Sequence, residues 1–334
     1  MAVRHVGVLV VGLASQSVIM SACSSPTPAM ATPGMVVIAD GRYTVGADAG
    51  EAANARPREI VSVRGFQIDR TEVTNADFAR FVHATAYRTT AEQPVDWATL
   101  SRELPPGTPR PPDEALTPGA LVFVSPASPV PLNDERAWWQ WTPGADWRHP
   151  AGPASGITDR AAHPVVQVSH ADATAYCAWA GKRLPTDVEW EVAARGGLTA
   201  KRFAWGDEPV SPARANVWEG EFPLQHAAHD RDVTTAPVGS YPANGYGLSD
   251  MSGNVWEWTA DRFEEAMMPD GSGRYGRVID ERIVRGGSFL CHPTYCAGYE
   301  VAARMHSSAN TSLQNTGFRC AADRPRALSS RSNP

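Results

Sequence analysis

The stretch Cys177-Ala-Trp-Ala-Gly-Lys-Arg-Leu-Pro-Thr-Asp-Val-Glu-Trp190 connects two predicted helices through a short polar turn. The first helix is expected over 171–181. The second is expected over 187–196, because Thr186 or Asp187 can cap it and acidic side chains favour the first turn of a helix. This stretch therefore places two helices near the middle of the chain.

Short strands are predicted ahead of these helices. Met35-Val-Val-Ile38 and Arg42-Tyr-Thr-Val-Gly46 have the composition of two strands around the turn Asp40-Gly41. Residues 60–68 alternate between apolar and polar side chains, which predicts a further strand. The chain from about residue 35 thus begins with strands.

A helix is predicted directly after these strands. Thr74 has the side chain of an N-cap, and the helix is expected to reach about Ala84. Its apolar residues have the i, i+3, i+4 spacing of one helix face, and they are Phe78, Phe81 and Val82.

A Pro-, Gly- and Ser-rich segment predicts a long loop or insertion over about 98–136, because Thr99–Asp134 shows little periodicity. After Gly197 the pattern is one of turns and short strands. No repeat and no hinge of flexible composition divides the body. One domain is therefore expected over 35–325, followed by a disordered tail at 326–334.

The composition is that of an ordinary globular protein, with 43% hydrophobic and 20% charged residues among 334. The net charge of −6 and the scattered basic residues argue against nucleic-acid binding. Eleven Trp and 28 Gly favour a loop-rich fold held by aromatic anchors over a helical bundle.

The first 22 residues have the pattern of an export signal, with Arg4 before an apolar run that is too short for a typical transmembrane helix. Met20-Ser-Ala-Cys23 resembles the signal-peptidase box of bacterial lipoproteins, in which the cysteine is acylated. Residues 23–34 then form a flexible tether. This predicts an extracytoplasmic, membrane-anchored lipoprotein; a plain cleaved signal with an incidental cysteine would give a secreted protein.

Two cysteines are separated by four residues in Ser288-Phe-Leu-Cys291-His-Pro-Thr-Tyr-Cys296. On a helix their thiols would diverge by about 140°, and on a strand they would point to opposite faces. Pro293 disfavours either element, so an irregular turn is expected, in which the sulfurs can converge. Converging thiols form a disulfide, hold a soft metal, or act as nucleophile and resolver.

Several phrases resemble the formylglycine-generating enzyme (sulfatase-modifying factor) family. They are Cys177–Trp190, Asn216–Phe222, Gly253–Trp258, Val284–Ser288 and Gly317–Cys320. The resemblance covers about 35–323 and implies an α+β fold, a single loop-rich domain that is a C-type-lectin-like variant. A narrower activity signal is Ser288–Cys296 followed by Ala302-Ala-Arg304, because lectin-like and sulfoxide-synthase relatives lack this cysteine pair.

The resemblance implies a monomeric aerobic oxidase that uses O₂ and a thiol reductant. Its substrate is an unfolded sulfatase polypeptide, in which the cysteine of a Cys-X-Pro-X-Arg segment becomes Cα-formylglycine. Cys291 and Cys296 are implied to bind Cu(I), a soft ion that accepts two thiolates and leaves room for the substrate's sulfur. Ser288 is implied to be a polar contact near the reacting site, and Trp256 the aromatic wall of the metal pocket.

The same resemblance pairs Cys177 with Cys320 in a structural disulfide that closes a loop of about 140 residues. Some relatives carry a second structural disulfide, whose two positions correspond to Ala194 and Val301. Both cysteines of that bridge are absent together. This departure concerns stability and leaves the close cysteine pair unchanged.

Two structural Ca²⁺ sites are also implied by the resemblance. The ligands of the first are Asn216, the Val217 carbonyl, Asp230 and Asp232. The ligands of the second are Asp250 and Glu257 with the carbonyls of Gly253 and Val255. Ca²⁺ takes six to eight oxygen ligands and accepts carbonyls readily. The alternative is that these residues are ordinary solvated turn acids.

Several other residues have more than one interpretation. Trp179, Trp190 and Trp258 are expected in the core. A second group, Trp138, Trp139 and Trp141, is a candidate border for a peptide groove. Arg304 either fixes the active loop as a buried charge or contacts substrate. His292 is expected to lie beside the metal site or in solvent, since the cysteines already supply soft donors.

Two further functions compete with the oxidase. One is a non-catalytic binding or scaffold lipoprotein that reuses the fold, and the frame of Ser288, Cys291 and Cys296 argues against it. The other is an oxidase acting on a small thiol with histidine-bound iron. The nine histidines are dispersed, and no helix carries a pair at metal-binding spacing.

Overall fold

Strands are short and helices are few in the computed structural model, which describes residues 32–104, 107–226, 234–263 and 280–324. The strands are β1 Met35–Ile38, β2 Gly41–Val45, β3 Glu59–Val63, β4 Phe66–Asp69, β5 Gly119–Phe123, β6 Trp139–Pro143, β7 Gly220–Glu221, β8 Gln225–His226, β9 Trp256–Arg262, β10 Glu281–Arg285, β11 Met305–Ser308, β12 Thr316–Gly317 and β13 Ala321–Asp323. The helices are α1 Asn75–Thr85, α2 Trp97–Glu103, α3 His170–Trp179 and α4 Asp187–Ala194, with 3₁₀ turns at Thr90–Glu92, Asp113–Leu116 and Glu135–Ala137. This content confirms the expected loop-rich α+β domain.

The described strands form five small sheets. One has the order β1-β4-β13 and another the order β11-β10-β9-β12, and the remaining strands pair as β2-β3, β5-β6 and β7-β8. The β12–β9 pairing is parallel, and the other strand pairings are antiparallel. Strands β11 and β12 are the two outer strands of the four-stranded sheet.

The two strands around Asp40-Gly41 exist, but they do not pair with each other as a hairpin would. β1 pairs with β4, and β2 pairs with β3. The single strand expected over 60–68 is wrong, because the chain breaks at Arg64-Gly65 into β3 and β4. The Gly65 N–H donates to Asp40 Oδ1 at 2.9 Å, and this bond holds the chain at the break between β3 and β4. β3 then pairs with β2, and β4 pairs with β1 and β13.

Local capping determines the helices, as the sequence predicts. The Thr74 hydroxyl accepts a hydrogen bond from the Asp77 N–H, and the Asp77 carboxylate accepts one from the Thr74 N–H. Together these two bonds form a capping box. Thr186 and Glu189 form the same arrangement at the start of α4. The predicted starts of α1 and α4 are therefore confirmed.

The segment expected to be a long loop over 98–136 contains regular structure. Helix α2 begins at Trp97 and is capped by Asp96, whose carboxylate accepts the Ala98 N–H. Strand β5 pairs along its whole length with β6. The sequence lacks periodicity here because each element is short, so the expectation of a plain loop is wrong.

Two of the three tryptophans expected in the core lie there. Trp190 and Trp258 are fully buried, but Trp179 is 44% exposed, so its core assignment is wrong. Trp179 ends α3, where its ring packs against Phe81 and Tyr176 and leaves its other side to solvent. An aromatic residue in a last helical turn can cover the core edge without entering it.

The predicted disulfide between Cys177 and Cys320 is present and closes a sequence separation of 143 residues. Both cysteines are buried, and the bond joins α3 to the residue before β13. The positions of the absent second bridge, Ala194 and Val301, are both buried in one hydrophobic cluster. Apolar packing occupies that place in this chain.

Several sequence predictions lie outside the described residues. They concern the signal peptide at 1–22, acylated Cys23, most of the tether at 23–34 and the tail at 326–334. These assignments stay predictions. Among the residues that are described, no helix has both the length and the apolar character needed to cross a membrane.

Replacing Cys177 and Cys320 together by Ala should lower the free energy of unfolding by about 5 kcal/mol, because the cross-link restricts a long loop of the unfolded chain. Urea denaturation of the non-reduced protein measures this loss. The double replacement of Cys291 and Cys296, which are only five positions apart, is the control and should cost less than half as much. Equal losses would contradict the loop-length argument.

Candidate active site

The close cysteine pair lies in an irregular loop, residues 286–300, between β10 and β11. Arg285, the last residue of β10, is buried and holds the base of this loop. Its guanidinium donates hydrogen bonds at 2.8 to 3.2 Å to three carbonyl oxygens just beyond the loop, those of Val301, Ala302 and Ala303. It also donates to Glu191 of α4 at 2.7 Å, which fixes both ends of the loop against that helix.

Two glycines turn the chain into the loop. Gly286 and Gly287 have φ values of 91° and 72°, a region that disfavours residues with a Cβ. A Cβ on Gly287 would lie 2.6 Å from the Tyr299 backbone nitrogen. The phrase Arg285-Gly-Gly-Ser288 therefore combines a charged anchor with the only residue type that allows the two strands of the loop to approach this closely.

Cys291 and Cys296 are joined in a disulfide with a Cα–Cα distance of 5.1 Å. The irregular turn expected from their spacing is confirmed, since the N–H groups of Tyr295 and Cys296 both donate to the His292 carbonyl. Cys291 is buried, whereas Cys296 is partly exposed. Of the fates that the spacing left open, the structure shows the disulfide, so any use of the two sulfurs as thiolates requires their reduction.

Ser288 lies in the same loop and is fully buried. Its Oγ accepts a hydrogen bond from the Asn315 side-chain amide at 3.0 Å and one from the Leu290 N–H at 3.3 Å. Both Ser288 and Asn315 line the cavity described next. The sequence gives no local signal for Asn315, because it approaches the loop from the segment before β12.

A groove with a void of about 440 Å³ opens beside the cysteine pair. Aromatic side chains form much of its wall, and they are Trp138, Trp139, Phe222, Trp256 and Tyr295. Trp138 and Trp139 thus border the groove as expected, while Trp141 is exposed and does not line it. Burial raises the pKa of Tyr295 to about 12, so its hydroxyl stays protonated at neutral pH.

The far part of the groove is polar. Glu281 and His306 both line it, and the Glu281 carboxylate lies 2.6 Å from Nδ1 of His306. The imidazole also stacks on Phe263 with a centroid distance of 4.1 Å. Sequence reasoning missed this pair because Glu281 and His306 lie on neighbouring strands that only the sheet brings together.

His292 and Arg304 make different contacts. His292 Nδ1 lies 2.8 Å from the Thr294 hydroxyl and accepts the Thr294 N–H, so its ring caps its own turn. Burial lowers the pKa of His292. Arg304 is buried, and its Nε lies 3.2 Å from Asp187. This environment favours the interpretation of Arg304 as a buried charge that fixes the loop.

Two residues of the first predicted calcium site, Asp230 and Asp232, lie outside the described residues. Asn216 is described, and its side-chain amide donates to the Thr234 carbonyl and to Asn254 Oδ1. Within 32–104, 107–226, 234–263 and 280–324, no three His, Cys, Asp or Glu side chains form a metal-binding group. The first site stays a prediction.

The second predicted calcium site contains one carboxylate with a free oxygen. Asp250 Oδ2 accepts the Gly239 N–H at 2.6 Å, and its buried Oδ1 has no hydrogen-bond partner among the residues that the structure describes. Glu257, by contrast, accepts hydrogen bonds from Arg319 and Trp190 through both oxygens. Asp250 therefore fits a cation ligand better than Glu257 does.

A third acid, Glu72, lies in the same buried region. Its Oε1 accepts the Asn254 side-chain amide, and its Oε2 has no hydrogen-bond partner within the described part of the chain. Burial, and then the charge of Asp250, raise the pKa of Glu72 well above its ordinary value. The sequence motifs did not indicate Glu72, which precedes α1 and lies far from Asp250 in the chain.

These features define a loop-rich, C-type-lectin-like domain with a cysteine pair at the end of an aromatic groove. Residues 21–324 match the family model of the sulfatase-modifying factor enzyme 1-like domain. The chain is 49% identical over 280 residues to a formylglycine-generating enzyme from Mycobacterium tuberculosis. The aligned residues cover 80% of this chain and 90% of that relative. The chain therefore belongs to the formylglycine-generating enzyme (sulfatase-modifying factor) family.

Other similarities separate fold from activity. An "inactive C-alpha-formylglycine-generating enzyme 2" of Mus musculus is 39% identical over 302 residues and covers 88% of each chain. The solved structure of PvdO from Pseudomonas aeruginosa has a TM-score of 0.54 at 24% identity, covering 87% of this chain and 94% of that one. The PvdO likeness shows the fold alone, whereas the relatives named formylglycine-generating enzyme support sulfatase-modifying activity.

Replacing Arg285 by Met should lower the free energy of unfolding by about 3–5 kcal/mol, because it leaves buried carboxylates and carbonyls without their donor. The matched control is Arg214→Met, whose ion pair with Glu208 is exposed and should cost about 0–1 kcal/mol. Urea denaturation compares the two variants. A loss for Arg285→Met no greater than for Arg214→Met would show that Arg285 does not hold the loop.

Proposed function

We propose that the chain is a copper-dependent aerobic oxidase that converts the cysteine of a sulfatase Cys-X-Pro-X-Arg segment to Cα-formylglycine. The observation that carries this proposal is the convergence of Cys291 and Cys296 at a groove large enough for a peptide. Family membership supports the formylglycine chemistry. The copper dependence rests on the donor set.

Reduced Cys291 and Cys296 fit Cu(I), because two thiolates held by one tight turn are the soft ligands that this ion prefers. Bound there, Cu(I) would supply a soft redox centre for the substrate's thiolate and O₂. Both cysteines line the groove, Cys291 from a buried position and Cys296 from a partly exposed one, so a substrate sulfur would approach from the groove.

The protein's own groups have distinct tasks in this reaction. Ser288 Oγ already accepts two hydrogen bonds, so its O–H can donate toward the reacting sulfur or an oxygen species in the groove. Asn315 orients that hydroxyl. Trp256 and Tyr295 exclude water from the reacting side of the groove, which strengthens such polar contacts.

The overall reaction balances with a thiol as reductant. The substrate's Cβ carbon loses two electrons and becomes an aldehyde, and its sulfur leaves as sulfide. O₂ accepts these two electrons and two more from two reductant thiols, which become a disulfide, and the net reaction releases one water. The same thiol can reduce the Cys291–Cys296 disulfide by exchange, which generates the metal-binding thiolates.

Reduced, Cu(I)-loaded protein should convert a Leu-Cys-Thr-Pro-Ser-Arg peptide to the aldehyde under air, as detected by mass spectrometry. Cys291→Ser and Cys296→Ser should each abolish conversion, because each removes a thiolate ligand. The control removes the disulfide outside the groove, by replacing both Cys177 and Cys320 with Ala, and should retain conversion below its unfolding temperature.

Two outcomes would contradict this function. Conversion by the Cys291 and Cys296 variants at the original rate would exclude the copper site. Peptide binding without any conversion by the loaded protein would favour the non-catalytic scaffold, which the inactive relative makes the second candidate.

We also propose that Ca²⁺ stabilises the fold at the predicted sites, with Asp250 as the best supported ligand, because its buried Oδ1 has no hydrogen-bond partner in the described ranges. Adding CaCl₂ to EDTA-treated protein should raise the Tm, by an amount that corresponds to about 2.7 kcal/mol at a hundredfold excess over Kd. Asp250→Ala should reduce this increase, and Mg²⁺ should give less, because it requires a smaller octahedral site. An unchanged Tm with Ca²⁺ would exclude the sites.

A further inference from the structure

Strand β11 borders the groove as an edge strand of the sheet that the described residues form. It is the outer strand of the order β11-β10-β9-β12, and its four residues, Met305–Ser308, all line the void that also contains Cys291 and Cys296. Successive side chains of a strand point to opposite faces of the sheet. Four consecutive residues at one void therefore mean that the backbone edge, and not one face alone, forms this wall.

The register with β10 determines which backbone groups face the groove. The Ala309 N–H donates to the Asp280 carbonyl, so these opposite residues form a hydrogen-bonded pair at the end of the β10–β11 ladder. Because such pairs alternate in an antiparallel ladder, Ser307 and Met305 also bond to β10. The N–H and C=O of His306 must then point away from β10, to the free edge.

Neighbouring edge positions confirm this alternation and are already bonded. The Arg304 N–H donates to the Ala53 carbonyl, and the Ser308 carbonyl accepts the Thr311 N–H. Between them, His306 has no backbone hydrogen-bond partner on the edge side within the described ranges, and no described strand pairs there. One residue thus presents an adjacent donor and acceptor to the groove.

The His306 imidazole already contacts other side chains. A bound chain would therefore interact with the His306 backbone and not with its side chain. His306 Nδ1 contacts Glu281, and its ring stacks on Phe263, so the strand is held in position on both sides of this residue. An unpaired strand edge is a template for a further extended chain. The aromatic walls around Cys296 can hold the side chains of such a chain.

We propose that the substrate polypeptide binds as an added strand on β11, pairing the N–H and C=O of one of its residues with those of His306, while its cysteine reaches Cys291 and Cys296. This inference rests on the proposed function and adds how the substrate is recognised. Backbone pairing requires an extended segment whose own N–H and C=O are free. The interior segments of a folded client already pair these groups, so this wall favours unfolded chains.

Backbone-methylated peptides test the pairing directly. Single N-methyl groups are placed in turn along the Leu-Cys-Thr-Pro-Ser-Arg peptide and flanking residues, and kcat/KM is measured with the copper-loaded holoenzyme. Binding of the same series with Cys replaced by Ala is measured by fluorescence anisotropy. One position should lose roughly tenfold, the worth of about one hydrogen bond. Equal effects at every position, or none, would overturn the proposal.

Variants of His306 test the protein side. His306→Pro and His306→Ala both remove the imidazole, but only Pro removes the edge N–H, and Pro is tolerated where that group faces away from the ladder. The Pro variant should bind the Cys→Ala peptide roughly fivefold to tenfold more weakly than the Ala variant. A thermal melt checks that both are folded, and equal affinities for the two folded variants would overturn the inference.

These measurements distinguish the inference from the function on which it rests. If the unmodified peptide is converted but neither methylation nor the Pro variant changes binding, the strand pairing is wrong and the oxidase stands. If the peptide binds with the predicted methylation pattern but is not converted, the pairing stands and the oxidase assignment fails.

Discussion

The site depends on the hydrogen bonds that the Arg285 guanidinium donates. This guanidinium is fully buried, donates to the carbonyls that follow the cysteine loop, and contacts two acids of α4, Asp187 at 3.3 Å and Glu191 at 2.7 Å. A buried cation is costly unless its hydrogen-bonding capacity is used. Here the native path of residues 286–303 places three carbonyl oxygens where Nη1 and Nη2 can donate to them, so the buried cation favours that path.

Arg319 performs a similar task beside the neighbouring strand β9. It is fully buried, and its guanidinium donates twice to Glu257 of β9 and once to the Ser249 carbonyl. Burial alone would lower the pKa of Arg319, but attraction to Glu257 raises it above the ordinary value. Strands this short form few hydrogen bonds with their neighbours. Buried guanidinium groups that donate several hydrogen bonds to different segments therefore help to hold these segments in place.

Local features of the fold were predictable from the sequence, and distant pairings were not. The capping residues Thr74 and Thr186 act within a few positions, so their helices begin where the sequence predicts. The partner of β1 is β4, a choice fixed by the Asp40–Gly65 contact that no local pattern encodes. The same limit explains why the cysteine turn was predictable while the residues that support it, such as Asn315, were not.

The cysteine loop and β11 contribute differently to the groove. The loop fixes the position of the two sulfurs, whereas β11 presents backbone groups. The loop is fixed by a charged anchor and by glycines that accept no substitute, so the position of the sulfurs is defined. The edge of β11 offers backbone groups of His306, which carry no sequence preference of their own. A substrate paired there would be positioned by its backbone, so preference for particular flanking residues would fall to the aromatic side chains that line the same groove.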